Sequence, residues 1–94
     1  MIYELEFDPR ALKEWHKLGA TVRDQFKKKL SEVLKHPRIE ANRLRELPDC
    51  YKIKLRKAGY RLVYQVQDEK VSILVLAIGK RNKSEAYNDA EKRV

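Results

Sequence analysis

The segment from Tyr51 to Gln67 constrains the fold and the surface of this chain more than any other part of it. It contains no acidic side chain, and its apolar residues, among them Ile53 and Leu55, alternate with basic ones. Because successive side chains of a strand point to opposite faces, this pattern predicts a strand with one apolar and one cationic face. A cationic face suits a polyanion, and nucleic acid is the nearest candidate. The five basic residues are Lys52, Lys54, Arg56, Lys57 and Arg61.

The composition bounds the class of protein. The chain has 94 residues, enough for one domain (1–94) with a modest core. Its 22 Lys and Arg against 14 Asp and Glu give a formal net charge of +8, which supports binding of phosphate or of an acidic partner. The single cysteine, Cys50, excludes an intramolecular disulfide, and the sequence has no signal peptide and no apolar run of about 20 residues. We therefore expect a cytoplasmic protein.

Turn and cap residues divide the chain into strands and helices. Helical spacing of apolar residues predicts two helices in the N-terminal half, the first beginning at Pro9 after a capping Asp8. Val71 to Ile78 is almost continuously apolar, as in a central strand covered on both faces. The predicted boundaries are a strand from Ile2 to Phe7, helices from Pro9 to Gly19 and from a capping Thr21 to His36, strands from Cys50 to Arg56, Tyr60 to Gln67 and Val71 to Gly79, and a short helix after a capping Ser84.

The order of these elements predicts an α+β fold, in which a helical hairpin packs on one face of a small antiparallel sheet. If Ala58 and Gly59 form a two-residue loop, Arg56 lies opposite Arg61, and we expect a four-residue loop to give the same pairing. A three-residue loop would mix apolar and basic residues on each face, which the hydrophobic pattern resists. The polar face would carry Lys52, Lys54, Arg56, Arg61, Val63 and Gln65.

The chemistry open to this chain is narrow. His16 and His36 lie outside any metal-ligand spacing, carboxylates do not cluster at strand ends, and the glycines form no phosphate loop. Lys, Arg and Tyr remain, and they suit cleavage of RNA, which carries its own nucleophile in the 2′-hydroxyl. That reaction needs a base, positive charge at the transition state and an acid for the 5′-oxygen. We expect no metal and no other cofactor.

Lysine is ordinarily a poor base at neutral pH, since its pKa is about 10.4. Neighbouring cations favour the neutral amine and lower that pKa. Lys52 and Lys54 project from the same strand face toward Arg61 on the next strand, an arrangement that would make one lysine basic. Arginine supplies fixed charge and paired donors to phosphate oxygens. Tyr87 is suited to stacking on a base or to proton transfer.

Five segments of the chain resemble the RelE toxins of bacterial toxin–antitoxin systems, within the RelE/ParE superfamily. The resemblance implies a compact α+β domain and a ribosome-dependent endonuclease. Such an enzyme cleaves mRNA in the ribosomal A site by 2′-hydroxyl attack, without metal. The segments are Ala11–Trp15 (ALKEW), Ala41–Leu44 (ANRL), Asp49–Arg56 (DCYKIKLR), Gly59–Val66 (GYRLVYQV) and Gly79–Arg81 (GKR), so they span nearly the whole chain.

The resemblance also implies roles for individual residues. Lys54 would be the general base, tuned by Lys52, and Arg61 would stabilise the transition state. Arg81 would act at the leaving oxygen, and Tyr87 would orient the substrate base. Further RNA contacts are expected at Arg56, Lys57, Lys80 and Lys83. The implied partners are a RelB-like antitoxin, the 70S ribosome with its mRNA, and operator DNA through the antitoxin complex only.

Three other interpretations stay open at this point. A basic strand face is most often a solvated surface. The chain is also compatible with a non-catalytic toxin of the same fold that inhibits DNA gyrase, although such toxins are not expected to keep the Lys/Arg/Tyr set. A basic protein that binds RNA without cutting it would show strong salt dependence and leave the RNA intact.

Overall fold

The structure is a computed structural model that describes residues 2–80 and 85–93. Its elements follow the predicted order, and the predicted cap Ser84 lies outside the described residues. In the two described ranges, no helix is both long and apolar enough to cross a membrane. The elements are β1 (Glu4–Phe7), α1 (Pro9–Lys17), α2 (Ala20–Lys35), a 3-10 turn (Glu40–Asn42), β2 (Cys50–Leu55), β3 (Tyr60–Gln67), β4 (Ser72–Lys80) and α3 (Glu85–Arg93).

The starts of the first two helices differ in how far the sequence predicted them. Asp8 accepts a hydrogen bond from the backbone N–H two residues on (2.9 Å), and Pro9 is the first residue of α1, so the predicted start is confirmed. The predicted cap of α2 is wrong, because Gly19 is the cap and Thr21 lies inside the first turn. The Gly19 carbonyl already accepts the N–H four residues on (3.0 Å), which begins the helix before Thr21.

The four strands form one sheet in the order β1-β4-β3-β2. The α+β class is confirmed, and β2, β3 and β4 are antiparallel as predicted, but β1 runs parallel to β4 and the sheet is mixed. The helical hairpin explains the direction of β1. Its second helix ends beside the start of β1, where Leu34 accepts the N–H of Tyr3 (2.9 Å). The chain thus returns to the end at which it began, and β2 enters the sheet in the direction of β1.

The β2–β3 hairpin has a four-residue turn, Arg56 to Gly59, which is one of the two loop lengths that the hydrophobic pattern allowed. Lys54 lies opposite Arg61, so the predicted pairing of Arg56 with Arg61 is wrong for this loop, and every predicted pair in the hairpin is displaced by two residues. Gly59 has a positive φ of 72°, which glycine adopts without steric cost. Because side chains alternate with a period of two, the displacement keeps each one on its predicted face.

Helices cover the sheet on both faces, which gives β4 the buried surroundings predicted from its apolar run. On one face α1 and α2 pack against the sheet, and Phe26 and Leu30 of α2 are among the most buried side chains. On the other face α3 places Ala86 and Ala90 against Val63 of β3. The second face is therefore not an open cationic surface, because a helix covers part of it.

A β-bulge interrupts β4. Val63 pairs with Ala77, whereas the next residue, Tyr64, pairs with Val75, so Leu76 is an extra residue in β4. The extra residue changes the alternation of side chains, and Leu76 and Ala77 both pack on the α3 side of the sheet. The apolar residues of β4 can therefore pack both against α1 and α2 on one face of the sheet and against α3 on the other.

Candidate active site

The strand register brings three basic side chains together on the face that α3 covers. Lys54 of β2 lies directly opposite Arg61 of β3, and Lys52 lies two residues earlier on the same face of β2. Directly opposed residues of an antiparallel pair have Cβ atoms about 4.5–5.5 Å apart. All three side chains are half-buried. We call these residues, together with Tyr87 of α3, the cationic site.

The crowding of like charges changes the acid–base behaviour of Lys54. Repulsion from the Lys52 ammonium lowers the pKa of Lys54 below its ordinary value, and a hydrogen bond with Lys52, partial desolvation and the charges of Arg61 and Arg56 act in the same direction. A lower pKa raises the fraction of neutral amine at neutral pH, and only the neutral amine accepts a proton. The direction agrees with the prediction from the sequence.

Tyr87 holds the guanidinium of Arg61 by an aromatic contact. Arg61 Cζ lies 4.7 Å from the centre of the Tyr87 ring, within the range of a cation–π interaction. Arg61 Nε is buried, and no acceptor from the described part of the chain reaches it. A buried donor without an acceptor is costly and uncommon in folded proteins. The site therefore holds Arg61 in place while its Nε donor has no hydrogen-bond acceptor among the described residues.

Two alanines bring Tyr87 to this position. Ala86 and Ala90, one turn apart on α3, are 1% and 0% exposed and belong to the core on this face of the sheet. Their small side chains let the helix approach the sheet closely, and the next residue after Ala86 is then placed over Arg61. The sequence predicted a helix that carries Tyr87, but the contact with Arg61 depends on a docking geometry that only two alanines at helical spacing could have indicated.

The other predicted catalytic and RNA-binding residues lie around the cationic site or outside the described residues. Arg56 and Lys57 are exposed in the hairpin turn, and Lys80 is exposed at the end of β4. Arg81 and Lys83 lie outside the described residues. The structure thus brings together four of the five predicted catalytic residues, all except Arg81. In the ranges 2–80 and 85–93, no group of three His, Cys, Asp or Glu side chains is placed to hold a metal ion.

Two grooves flank the cationic site. One, of about 390 Å³, lies beside Lys54 between α2 and the edge of β2, and Lys29 lines it. The other, of about 340 Å³, lies beside Tyr87 and is lined by Arg43 and Arg45 from the connection before β2. Sequence reasoning did not assign Arg43 and Arg45 to the site, because that connection has few regular signals and its position relative to α3 is set by tertiary packing.

Comparison with known proteins places this geometry in a family. A family model described as ParE toxin of type II toxin-antitoxin system, parDE, matches residues 5–85. The mRNA interferase toxin RelE of Escherichia coli (strain K12) is 68% identical over 94 residues, which are 100% of this chain and 99% of that protein. The identity is therefore not confined to the cationic segment, because the matched region covers the whole chain.

Solved structures agree with this relationship. The free state of an E. coli toxin RelE mutant, with two arginines replaced by alanine, has a TM-score of 0.93 and 67% identity, over 100% of this chain and 99% of that chain. A chain of the intact E. coli RelBE toxin–antitoxin complex has a TM-score of 0.81 and 72% identity, over 83% of this chain and 95% of that chain. With its mixed sheet, helical hairpin and cationic site, this chain belongs to the RelE/ParE family of toxins from type II toxin–antitoxin systems.

Proposed function

We propose that this chain is the toxin of a type II toxin–antitoxin system and an mRNA interferase, an endoribonuclease that cuts mRNA in the ribosomal A site and so inhibits translation. The arrangement of Lys54, Arg61 and Tyr87 carries the proposal, because a lysine of lowered pKa faces an arginine that keeps an unsatisfied donor. Identity of 68% over the whole chain to a protein named mRNA interferase toxin RelE supports it.

The proposed reaction uses the nucleophile of the substrate itself. Lys54, as the neutral amine, accepts the proton of the 2′-hydroxyl, and the 2′-oxygen forms a bond to the adjacent phosphorus. The bond from phosphorus to the 5′-oxygen breaks, which leaves a 2′,3′-cyclic phosphate and, once that oxygen takes a proton from water, a 5′-hydroxyl. Arg61 donates to the phosphoryl oxygens, on which negative charge develops during the attack.

The other assigned residues support this chemistry. Lys52 keeps the pKa of Lys54 low, and Tyr87 stacks on a substrate base, an interaction worth about 1–3 kcal/mol per base. By resemblance alone we assign Arg81 to the leaving 5′-oxygen, where it acts through its charge, because a guanidinium keeps its proton at neutral pH. Arg56, Lys57, Lys80 and Lys83 are assigned to RNA contacts around the site.

The charge of the chain supports the proposed partners. A net charge of +8 suits association with mRNA and with the RNA of the 70S ribosome. Relatives have been solved in complex with the antitoxin RelB, which supports a RelB-like antitoxin for this chain. Operator DNA would be bound by the toxin–antitoxin complex and not by the toxin alone. These partners imply that the protein acts in the cytoplasm.

A cleavage assay on programmed ribosomes tests the proposal. The protein is added to ribosomes that hold a defined mRNA with an empty A site, and to the same mRNA free in solution. We expect a cut confined to the A-site codon, with a 2′,3′-cyclic phosphate end, whether or not the protein was treated with EDTA before it is added to the ribosomes. Lys54→Ala should lose the cut, whereas Lys35→Ala, which removes an exposed lysine at the end of α2, should keep it. Intact mRNA both on the ribosome and free in solution would reject the proposed nuclease activity.

A second function deserves the same test because the matching family model is described by ParE. A toxin of that kind that inhibits DNA gyrase would not need a lysine of lowered pKa opposite an arginine. The Lys54–Arg61 pair and the full-length identity to an mRNA interferase therefore favour RNA cleavage. A gyrase supercoiling assay separates the two, since inhibition of supercoiling without mRNA cleavage would replace the proposed function.

A further inference from the structure

An ion pair between α1 and α3 completes the edge of β4. The strand β1 covers that edge only as far as Val75, whose carbonyl accepts the N–H of Asp8 (2.9 Å). Beyond that point, Glu14 Oε1 accepts the N–H of Ile78 (3.1 Å), and Arg93 Nη1 donates to the carbonyl of Leu76 (2.7 Å). The two side chains therefore supply, beside the bulge, the hydrogen bonds that a longer β1 would have made to β4.

The same two side chains hold each other. Arg93 Nη1 lies 2.9 Å from Glu14 Oε1, and the side chains are only 10% and 25% exposed. A second donor of Arg93, Nη2, lies 3.4 Å from Glu14 Oε2. Charged hydrogen bonds of this kind are stronger than neutral ones, and partial burial reduces screening by solvent. We call Glu14 and Arg93 the α3 tether, because they join the last turn of α3 to α1 and to β4.

The rest of α3 is held by few large contacts. Its buried residues, Ala86 and Ala90, each offer a single methyl group to the sheet. Arg93 follows Ala90 by three residues and Ala86 by seven, so it lies on the same face of the helix, which is the face turned to the sheet. The C-terminal end of α3 therefore depends on the tether for its position.

A helix transmits that position to its other end. Tyr87 lies six residues before Arg93, which is about 9 Å along a helix. Because α3 is rigid over this distance, fixing its last turn fixes the ring of Tyr87 over the guanidinium of Arg61, 4.7 Å from its Cζ. Neither tether residue faces the RNA, since the carboxylate and the guanidinium are both engaged in the contacts already given.

We propose that Glu14 and Arg93 are positioning residues for mRNA cleavage, because they seat α3 so that Tyr87 lies against Arg61. This inference rests on the proposed function of the cationic site. Loss of the tether should let α3 shift on its two alanines, which displaces Tyr87 and removes the aromatic contact from Arg61. The chemical step should suffer more than the encounter with the ribosome, so kcat should fall while KM changes little.

A double-mutant cycle in the full chain tests the tether. Arg93→Ala is compared in the native background and in a Tyr87→Ala background, on ribosomes that carry a defined mRNA. We expect kcat to fall about tenfold in the native background, a coupling usual for interacting residues, and KM to stay within about twofold. In the Tyr87→Ala background, Arg93→Ala should cause no further loss. Arg93→Lys should recover part of kcat, and Lys92→Ala, the exposed neighbour, should match the native protein.

Hydrogen exchange of the backbone provides a readout that needs no activity. Amide protection across Glu85–Arg93 should fall in Arg93→Ala and remain native in Lys92→Ala. Should Arg93→Ala fail to fold, Glu14→Gln replaces it, since glutamine still accepts from Ile78 but loses the carboxylate charge nearest to Arg93, at 2.9 Å against 3.7 Å for Asp89. Equal losses of kcat in both backgrounds, or unchanged protection of α3, would overturn the tether. If the native protein does not cleave mRNA at all, the proposed function fails, and the exchange data alone decide the tether.

Discussion

Two polar clusters lie on this sheet, and their charges are arranged in opposite ways. In the first, Arg38 lies 3.1 Å from Asp49, forms an ion pair with Asp68 and donates to the hydroxyl of Tyr51 (3.3 Å). Tyr3 donates to the same Asp68 (2.7 Å), so the group ties the N-terminus, the connection after α2 and the β3–β4 turn together. We call these five residues the Arg38 cluster.

The cationic site has the reverse composition. Within the described ranges, no carboxylate forms an ion pair with Lys52, Lys54 or Arg61. The pKa of Lys54 is lowered, first of all by Lys52. In the Arg38 cluster, the hydrogen bonds from Tyr3 and Arg38 lower the pKa of Asp68, and Asp68 is the main cause that raises the pKa of Arg38. Folding thus favours the charged forms of Asp68 and Arg38 in the Arg38 cluster, and it disfavours the charged form of Lys54 in the cationic site.

The contrast separates two uses of basic residues. A charge that the folded state favours adds to stability, whereas a charge that it disfavours subtracts from stability. Groups of the second kind are typical of functional sites, where a ligand or a reaction uses the unsatisfied charge. We therefore expect substitutions in the cationic site to lower cleavage with little effect on stability. Substitutions in the Arg38 cluster should lower stability with little effect on cleavage.

The largest expected effect is that of Arg61→Ala on cleavage. Removal of the charge that we propose to face the developing phosphorane should lower ribosome-dependent cleavage by roughly 10²–10³-fold. The melting temperature should stay close to that of the native protein, because the change also removes a buried donor without an acceptor. Binding of the antitoxin, measured by calorimetry, should remain nearly intact. Equal loss of cleavage and antitoxin binding would mean that Arg61 is a structural residue, and the contrast with Arg38 would fail.

The next largest effect is expected for Lys52→Gln, which tests how the charge of Lys52 controls the pKa of Lys54. Lys52→Gln removes the main cause of the lowered pKa of Lys54, so that pKa should rise. Less neutral amine is then present at neutral pH, and cleavage should fall several-fold. Raising the pH should restore it, because the neutral form returns. A pH–rate profile on ribosomes should therefore shift its rising limb to higher pH, and Lys57→Gln in the hairpin turn is the control that should not. A loss that is equal at every pH would contradict the role of Lys52.

Arg38→Ala should show the opposite result to Arg61→Ala. The side chain is 39% exposed, so its ion pairs are screened, and the free energy of unfolding should fall by roughly 0.5–1 kcal/mol. For a domain of this size, that lowers the melting temperature by about 2–8 °C. Cleavage per folded molecule should not change. A native melting temperature, or a loss of cleavage at a temperature where the variant is fully folded, would remove the distinction between the clusters.

The smallest expected effect is the acid dependence of the Arg38 cluster. Because the folded state lowers the pKa of Asp68, this residue contributes stability above the pKa of an unfolded aspartate, about 3.9, and loses that contribution as the pH falls further. Asp68→Asn should therefore melt below the native protein at neutral pH, and the gap should close in acid. Thermal unfolding followed from pH 7 to about pH 2.5 measures this. A gap that does not vary with pH would assign the effect of Asp68 to causes other than its charge.

The sequence predicted the faces of the sheet better than its pairing. Alternation in the segment from Tyr51 places each side chain on a face, but two-residue and four-residue turns preserve the same faces. The pairing of Lys54 with Arg61 therefore required the structure, in which Gly59 closes the longer turn. Local signals such as Asp8 before Pro9 were sufficient for the start of a helix because cap and helix are adjacent in the chain.

Contacts between distant residues left no pattern in the sequence. Arg38 and Asp68 are separated by 30 residues, and Glu14 and Arg93 by 79, so no spacing rule joins either pair. The resemblance to a family identified residues of the cationic site but gave no information on the Arg38 cluster or the α3 tether. Both depend on where the connection after α2 and the helix α3 pack, and that is decided by the whole core.

The parallel pairing of β1 with β4 also sets the order in which the protein is completed during its own synthesis. Glu4 is translated 68 residues before its strand partner, Ser72. Domains fold from the N-terminus as they emerge, and contacts of large sequence separation form last. The strand β4, which lies between β1 and β3, and the helix α3 are both translated after the β2–β3 hairpin. We therefore expect a nascent chain to lack an assembled cationic site until β4 and α3 have emerged from the ribosome, so that a chain translated only as far as β3 is not yet a competent toxin.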